Sequence, residues 1–515
     1  MVSWPSTLPQ YLLVQGFGQS LPEGRVRSAN DVGPPKVRRR SSQNVYIITG
    51  QMVMTFDQWA DLQTFVNSTT GGGTLPFLFR DPLSKIEPKL EIDFTAGTAL
   101  IQGMPLLVRF GETLPAISEA LGSDLVRVTM DLEVLPGPTG DFNGDVTDIL
   151  QVTRASKATY FDADGVLQTA DNNELRFDHD PVTGEPLGLL IEPQATNLLR
   201  WSEDLTNAVW SKSRATITDE GEGIFKLIET TDDGYHYISQ PHSYSGEMSW
   251  SLEVKAVGER DVMIQRRHAT GFQNATISLT TGQVLAGSWP SGGINSYHLA
   301  DGWWRIEAIA DTGSPPSGTN FEIYSAKGTT LQFPGDPSCG LLLRRIQHEP
   351  GPVATSYIKT EGSQVTRAAD NISIPLSAFP WNEAEMTAIV EFQTFGLLNT
   401  PTVQRILSRQ SDAHFLYQIT ENANLAAYDG TNFLNLGTIS TGQVVKAASS
   451  FGPRGLRGCV NGGSIVSTGY KGTFGTSPNL YLGSLNGSNG HYLHFRKLKL
   501  FPRQLSDAEM LALVA

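Results

Sequence analysis

Histidine pairs and paired carboxylates are the side chains that most often bind metals or transfer protons in proteins. The chain has nine histidines, and the closest pair is His491 and His494 in GHYLHF. Residues three apart on a strand point to opposite faces, so this pair is not expected to share one metal ion. HExxH, GxSxG and GxxxxGK[ST] motifs are absent, and the carboxylates are scattered through turns. We therefore expect no catalytic residue, no metal site, no cofactor and no enzymatic activity.

A glycoside hydrolase is the alternative, because the two carboxylates of such an enzyme can be distant in sequence. Calcium binding is a second function to consider, since residues 137–148 and 161–174 are rich in Asp. Neither segment has the EF-hand spacing of ligands at alternate positions with Gly at the sixth and Glu at the twelfth. Asx turns are the simpler interpretation of both segments.

Aromatic side chains are the strongest candidates for ligand binding. An exposed indole offers a flat apolar surface to a sugar ring and an N–H that can donate. Adjacent strand residues face opposite ways, so one tryptophan of the Trp303–Trp304 pair is expected to point away from the core. Filling of the core is the competing interpretation for each ring. The candidate glycan-binding residues are Trp201, Trp210, Tyr235, Trp289, Trp303 and Trp304.

The elements that would position these residues are mostly strands. The 515 residues include 51 Gly and 29 Pro but only 17% charged residues, which is typical of a β-rich protein with many turns. The length predicts about three domains. Two distant cysteines, Cys339 and Cys459, give no disulfide framework. No segment reads as a signal peptide or a membrane span, so a soluble protein made without a secretion signal is expected.

Local patterns predict individual elements. Thr55 and Gln58 form a capping box ahead of a helix whose apolar side holds Phe56, Trp59, Leu62 and Val66. Residues 125–134 alternate as a strand with one apolar face, and residues 137–148 have the composition of a linker. A second capping box, Ser506 with Glu509, predicts a short helix at the end of the chain.

The first 136 residues resemble the minor tail proteins of lambda-like siphophages that serve as distal tail proteins. The resemblance lies in WPSTLPQYLLVQGFGQSLPEGRVRSANDVGPPKVRRR, in TFDQWADLQTF, in GGGTLPFLFRDP and in VRVTMDLEVLP. It implies a virion protein of the phage tail tip, assembled in the host cytoplasm. It also implies a ring, expected to be a homo-hexamer, with the tail tube protein and the central hub or tail-tip proteins as partners.

Two further resemblances cover the rest of the chain. Residues 152–204 and 357–372 are similar to segments of tail-fibre proteins that flank a carbohydrate-binding jelly roll. The last 140 or so residues resemble the concanavalin A and laminin G fold through LRGCVNGGSIVSTG and LYLGSLNGSNGHYLHFRKLKLFPRQLSDAEM. The predicted fold class is mainly β: a small hub domain with one helix, then two antiparallel sandwiches. The expected boundaries are 1–136 for the hub, 137–185 for a linker, 186–370 for the jelly roll and 371–515 for the lectin-like domain.

Positive charge is concentrated near the start of a chain whose net charge is −14. The predicted strand KVRRR would place Lys36, Arg38 and Arg40 on one face and Arg39 on the other. Pairing of these cations with carboxylates of neighbouring subunits is the favoured hypothesis. Contact with DNA and a charged edge strand facing solvent are the alternatives. Sequence-specific nucleic-acid binding is not expected, and host-surface glycan is the expected ligand of the sandwiches.

Overall fold

The structure is a computed structural model, and strands dominate it. The described residues are 2–515 except 6, 21–24, 29–35, 40–44, 85–86, 136–141, 243–245, 269–270, 291, 300, 312–318, 380, 383, 397–403, 410–414, 420–422, 430, 470–476 and 485–490. They form one N-terminal sheet and two sandwiches, each with its own apolar core. The prediction of a mainly β fold with two sandwiches is confirmed.

The N-terminal sheet is built around the strand Leu125–Val134, whose apolar face is buried as its alternation predicts. Its long partner is Tyr46–Thr55, and the two strands pair antiparallel over their whole length. In order across the sheet, the strands are Val2–Ser3, Phe77–Phe79, Leu106–Phe110, Leu125–Val134, Tyr46–Thr55 and Gly18–Gln19, with Ala116–Ala120 paired to Leu125–Val134.

The helix Phe56–Thr64 begins with the predicted capping box, since Thr55 and Gln58 exchange side-chain to backbone hydrogen bonds. A π-helical turn, Phe65–Thr69, follows it. Leu62 and Val66 are buried and Trp59 packs against the core, as predicted. Phe56 is 48% exposed, contrary to the prediction, because it is the first residue of the helix and lies at the end of the sheet.

The jelly roll consists of two six-stranded sheets that enclose one core. In spatial order the first sheet contains Ser211–Ser213, His236–His242, Thr319–Ala326, Asp261–His268, Gly271–Ile277 and Val284–Gly287. The second contains Ala215–Gly221, Ile224–Glu229, Gly340–Pro350, Glu247–Val257, Trp304–Asp311 and Ile294–His298.

The C-terminal sandwich packs a ten-stranded sheet on a seven-stranded one. The larger sheet runs Phe142–Asp145, Thr98–Gln102, Lys89–Asp93, Leu493–Phe501, Met386–Thr394, Val444–Phe451, Leu456–Val460 and Val466–Thr468. Pro186–Ile191 also pairs with Leu493–Phe501, and Phe177–His179 pairs with Pro186–Ile191. The smaller sheet runs Gln151–Thr153, Asn371–Pro375, Asn479–Leu482, Gln404–Ser408, Phe415–Ile419, Asn424–Tyr428 and Phe433–Thr438. The helix Asp507–Val514 begins with the predicted capping box of Ser506 and Glu509.

Short elements connect the three units. Two-stranded pairs join Ala158–Phe161 to Leu167–Ala170, Ala195–Asn197 to Val365–Arg367, and Asp233–Gly234 to Phe333–Pro334. Single 3-10 turns occur at Val146–Asp148 and Leu376–Ala378.

The sheets divide the chain differently from the expected boundaries. The hairpin of Lys89–Asp93 and Thr98–Gln102, expected in the hub domain, forms part of the larger C-terminal sheet. Its apolar residues Leu90, Ile92 and Ile101 are buried in the core of that sandwich. Cross-strand ion pairs of Lys499 with Glu91 and of Lys497 with Asp93, at 3.1 and 3.3 Å, favour this register.

The expected linker also belongs largely to the C-terminal sandwich. Phe142–Asp145 pairs with the hairpin, and Gln151–Thr153 pairs with Asn371–Pro375. Phe177–His179 pairs with Pro186–Ile191, a strand expected in the jelly roll that instead pairs with Leu493–Phe501 of the C-terminal sandwich. Val146, in the segment expected to be free of structure, is fully buried. Composition alone had suggested a linker because the few apolar residues of this segment are separated by Gly, Asp and Thr.

The basic segment forms a strand over Lys36–Arg39, which pairs antiparallel with Arg25–Ser28. The backbone of the predicted strand is therefore confirmed for Lys36, Val37, Arg38 and Arg39. Arg40 and the side chains of this hairpin lie outside the described part of the chain. Their contact with neighbouring subunits stays a prediction.

We predict that a chain ending at Pro136 aggregates although its own core is complete. The truncation leaves the buried side of the hairpin without the sheet that covers it, and exposed apolar strand edges promote association. The matched control is the same truncation with residues 88–103 replaced by a short Gly-Ser linker. Size-exclusion chromatography with light scattering should show aggregates only for the first chain, and equal behaviour of the two would contradict the assignment of the hairpin.

Candidate functional site

A cavity of about 350 Å³ lies where residues 160–190, the jelly roll and the C-terminal sandwich meet. We call it the junction cavity. Its polar and aromatic lining includes Tyr160, Asp178, Asp180, Asn295, Tyr297, Arg305, Glu307, Phe395, Tyr492 and His494. A cavity of this size is at the lower end of small-ligand sites, which span about 300–1,000 Å³.

The jelly roll contributes the outer face of two paired strands. Arg305 and Glu307 alternate with Ile306 and Ala308, so the first two face the cavity and the last two enter the core. In the register of the pair, Tyr297 lies opposite Arg305 and Asn295 opposite Glu307. One patch of two strands therefore supplies an amide, a phenol, a guanidinium and a carboxylate.

Arg305 and Glu307 form an ion pair in which Nε of Arg305 donates to Oε1 of Glu307 at 2.9 Å. Arg305 is only 8% exposed. Burial would lower the pKa of Arg305, but the carboxylates of Glu307 and Glu253 raise it above its ordinary value. Among the described residues, no protein group accepts from the two terminal amino groups of Arg305 or donates to Oε2 of Glu307.

Two tyrosines face this ion pair. Burial raises the pKa of Tyr297 to about 12, with the Glu307 carboxylate adding to the rise and Arg305 opposing it. Burial also raises the pKa of Tyr492, as do the carboxylates of Glu192, Glu307 and Asp178. Both phenols are therefore neutral near pH 7, and neither hydroxyl bonds to a protein group in the described part of the chain.

The C-terminal sandwich contributes a histidine held by a carboxylate. Nε2 of His494 lies 2.8 Å from Oδ2 of Asp178, and Oδ1 of Asp178 accepts from the backbone N–H of Phe161 at 2.7 Å. A carboxylate only accepts, so Nε2 carries the proton, and in the neutral ring Nδ1 then offers a lone pair. Nδ1 of His494 is buried without a hydrogen-bond partner among the described residues.

One wall of the cavity, residues 353–357, is fixed by a buried cluster of charges. We call the set of Arg154, Arg176, Glu192, Arg367 and Asp370 the ion cluster. Ser356 connects this wall to the ion cluster. The backbone N–H of Ser356 donates to Oε1 of Glu192 at 2.7 Å, and the Ser356 hydroxyl donates to Oε2 of Glu192 at 2.6 Å.

The ion cluster is held together by charge-assisted hydrogen bonds. Arg176 donates to Glu192 at 2.6 Å and to Asp370 at 2.5 Å, and Arg154 donates to Asp370 at 2.8 Å. Burial would raise the pKa of Glu192, but Arg367 and Arg176, together with the hydrogen bonds from Ser356, lower it to about 2. All five members are at most 2% exposed, so the cluster is structural rather than open to ligand.

Glu349 is a further buried carboxyl beside the same wall. Oε2 accepts from the backbone N–H of Thr355 at 2.9 Å and Oε1 from the Thr355 hydroxyl at 2.5 Å. Burial raises the pKa of Glu349 to about 7, although these hydrogen bonds oppose the shift. The folded protein therefore retains a proton on Glu349 at pH values where an ordinary glutamate is ionised.

The six aromatic residues predicted from sequence do not line the described part of the junction cavity. Trp210 is buried, with Nε1 donating to the carbonyl of Trp201 at 3.0 Å. Trp201 and Trp289 are half-buried against the jelly-roll core. Tyr235 is 39% exposed. Glycan contact by Trp201, Tyr235 or Trp289 stays a prediction.

One tryptophan of the Trp303–Trp304 pair points away from the core, as expected, but neither offers an exposed ring, because both residues are buried. Trp304 enters the core and donates from Nε1 to the carbonyl of Leu279 at 2.7 Å. Trp303 points the other way, but the guanidinium of Arg344 covers its ring at 4.2 Å. A guanidinium stacked on an indole face shields the ring from solvent, as packing in the core would.

The two histidines singled out from sequence lie in different surroundings. His494 lines the junction cavity, whereas burial lowers the pKa of His491 to about 3 and its Nε2 bonds to the Thr394 hydroxyl. Within the described ranges, no group of three or more His, Cys, Asp or Glu side chains is placed to hold a metal ion. No helix in those ranges has the length and apolar character to span a membrane.

The residues of the junction cavity were missed because they come from segments more than 300 positions apart in sequence, from Tyr160 to His494. A local signal was present in WWRIEAIA, where charged residues alternate with apolar ones. An arginine and a glutamate on the outer face of a strand next to two tryptophans were available to sequence reasoning. The partner segments that close the cavity were not.

The proteins found to be similar to this chain are solved structures. No protein-family model matches the chain, and no curated protein matches it. Trypanosoma rangeli sialidase is 10% identical over 98% of this chain and 99% of its own, with a TM-score of 0.24. Domains LG4-5 of the mouse laminin alpha1 chain are 11% identical over 57% of this chain and 94% of their own, with a TM-score of 0.17. A mutant of the GH43 protein BlXynB from Bacillus licheniformis is 10% identical over 96% of this chain and 99% of its own, with a TM-score of 0.18.

The expectation that the chain is not an enzyme is corrected by this finding. Sialidases and a GH43 protein are among the similar structures, so the absence of enzymatic activity is not retained as a conclusion. Their low identities and TM-scores assign no reaction to this chain. The expectation was based on the lack of a local catalytic motif. A chain without such a motif can still bring two catalytic carboxylates together through its fold.

We predict that Glu349→Gln stabilises the protein at pH 8 relative to the wild type and has little effect at pH 4. A folded pKa of about 7 against an ordinary value of 4.5 means that the wild type loses stability as pH rises through this window. The loss is up to about 3 kcal/mol, since one pKa unit corresponds to about 1.4 kcal/mol. Melting temperatures at several pH values test this, with the exposed Glu222→Gln as control. A constant difference across the pH range would contradict the assignment.

We predict that Arg176→Met destabilises the protein by about 3 to 5 kcal/mol, because it leaves Glu192 and Asp370 buried with too little positive charge. The control is Lys157→Met, which removes an ion pair with Asp171 whose side chains are 73% and 75% exposed. That change should leave the melting temperature nearly unaltered. Equal effects of the two substitutions in thermal unfolding would refute a structural role for the ion cluster.

Proposed function

We propose that this chain is a phage tail protein that binds host-surface glycan in the junction cavity. The N-terminal part supplies attachment to the tail tip as a ring subunit, with the tail tube and hub proteins as neighbours. The sandwiches carry the glycan site. The proposal for the tail rests on the resemblance of residues 1–136 to distal tail proteins.

The observation that carries the proposed glycan binding is the composition of the junction cavity. Sugar sites combine aromatic faces with a few polar groups that donate to and accept from hydroxyls. The cavity has aromatic rings of Tyr160, Tyr297, Phe395 and Tyr492 beside the ion pair of Arg305. The terminal amino groups of Arg305 and the hydroxyls of Tyr297 and Tyr492 have no protein partner in the described part of the chain, which leaves them available to a ligand.

We predict that Tyr297→Ala reduces glycan binding by about tenfold or more while the melting temperature stays close to that of the wild type. Tyr297 is 43% exposed, so its loss opens no sealed core cavity. Binding is measured on a glycan array with the full chain. Tyr235→Ala tests the surface suggested by sequence, and Phe433→Ala is the control at an exposed aromatic outside the cavity. If only Tyr235→Ala abolishes binding, the site lies on the jelly-roll surface instead.

Hydrolysis of the bound glycan is the second candidate function. It is favoured by three carboxylates in one cavity, those of Asp178, Asp180 and Glu307. Pairs of carboxyl groups are the usual catalytic groups of glycoside hydrolases. Glycans that bind on the array are incubated with the protein and assayed for new reducing ends. Reducing ends that disappear in Glu307→Gln would establish the hydrolase, and binding without them would establish a binding protein.

The ring is tested separately by reversing charge on the basic strand. Arg38→Glu combined with Arg40→Glu should prevent ring assembly, because like charges at a repeating contact are costly, and should leave the monomer folded. Electron microscopy of the purified protein reports the ring, and circular dichroism reports folding. Rings that form normally would reject the interface role of this strand.

A further inference from the structure

We infer that the junction cavity selects a neutral sugar residue and discriminates against acidic sugars. The inference rests on the proposed glycan binding and names the class of sugar. It follows from how charge and hydrogen-bonding capacity are distributed around the cavity.

The charges of the cavity disfavour an anionic ligand. Three carboxylates line it, those of Asp178, Asp180 and Glu307, against one guanidinium, that of Arg305. Arg305 is already paired with Glu307 at 2.9 Å, so its charge is neutralised before a ligand arrives. A bound carboxylate would therefore meet the negative charges of Asp178 and Asp180. Among the described residues these carboxylates are hydrogen-bonded to the His494 ring and to backbone N–H groups, and no Arg or Lys side chain pairs with them. Like charges brought together in a partly buried site repel one another.

The unpaired polar atoms of the described residues match hydroxyl groups. A sugar hydroxyl donates one hydrogen bond and accepts others. Oε2 of Glu307 can accept, and the terminal amino groups of Arg305 can donate. The phenols of Tyr297 and Tyr492 can do either. An anion would use the donors alone and would leave Oε2 of Glu307 without a partner among the described residues.

The size of the cavity limits the ligand to a short unit. About 350 Å³ is near the lower end of ligand sites, which fits one or two sugar residues rather than a long chain. The strands of Tyr297, Arg305 and Glu307 form one side of the cavity. The opposite side belongs to the other sandwich, where Tyr492 directly precedes the strand that holds His494. The site is therefore suited to the end of a glycan chain.

The test compares matched neutral and acidic sugars with the full chain. Glucose and galactose oligosaccharides are compared with the corresponding glucuronate and galacturonate oligosaccharides, and with sialylated glycans, on one array. The wild type should prefer the neutral member of each pair by about tenfold or more. Preference for the acidic members would overturn the inference while leaving glycan binding intact. Binding of no glycan would instead reject the proposed function.

The variant Glu307→Gln tests the charge argument more directly. It keeps the shape of the side chain, removes its charge and frees Arg305, so neutral sugars should bind about tenfold more weakly and acidic sugars more tightly than to the wild type. Glu222→Gln, an exposed carboxylate outside the cavity, is the matched control. An equal change for both sugar classes in Glu307→Gln would contradict the charge argument.

A second variant covers the case in which Glu307→Gln lowers stability. Tyr297→Phe removes one hydroxyl from a half-exposed ring and retains its apolar face. It should weaken the binding of neutral sugars without creating affinity for acidic ones. Melting temperatures of all variants separate lost binding from lost folding, and unchanged neutral binding in both variants would overturn the inference.

Discussion

The buried ion cluster is the constraint on which the arrangement of the two sandwiches depends. Arg154 and Arg176 lie in the segment that joins the N-terminal sheet to the jelly roll, whereas Arg367 and Asp370 lie where the chain leaves the jelly roll for the C-terminal sandwich. The contacts of Arg176 and Arg154 with Asp370 thus span 194 and 216 positions in sequence. Taking such charges out of water is costly, and removing one partner leaves the others uncompensated. The chain has therefore few ways to enter and leave the jelly roll other than the one observed.

The same cluster explains why a cavity exists at this junction. Glu192 holds Ser356 through two hydrogen bonds, and residues 353–357 form one wall of the cavity. The opposite walls come from the outer face of Trp304–Asp311, from His494 in the strand Leu493–Phe501, and from Tyr492, which directly precedes that strand. Side chains on strands are held in place more rigidly than side chains on loops, which suits a site that binds its ligand through several directed hydrogen bonds. The rigidity of the junction and the shape of the cavity thus have one physical origin.

Local sequence patterns predicted individual helices and strands, but they did not predict which strands join the same sheet. The capping boxes of Thr55 and Ser506 and the alternation of residues 125–134 are set by hydrogen bonds and burial within about ten residues, so they could be predicted. The hairpin 89–102 alternates just as clearly, but alternation does not tell which sheet a strand will join. The opposite directions of Trp303 and Trp304 were predicted, but the burial of Trp303 was not, since Arg344, which covers its ring, is 41 positions away. The junction cavity could not be predicted, because only the wall of Tyr297 and Arg305 is local, and the groups that close the cavity come from distant segments.

The N-terminal part of the chain contributes a hairpin to the C-terminal sandwich, and this shared sheet limits how the two can move relative to one another. The hairpin 89–102 pairs with Leu493–Phe501, the strand that begins beside His494 in the junction cavity. Arg503, just beyond the same strand, pairs with Glu87 at the base of the hairpin. A flexible linker would let the C-terminal sandwich move independently of the N-terminal sheet. The pairing of the hairpin with Leu493–Phe501 instead restrains this movement, because hydrogen-bonded strands resist rotation about one another.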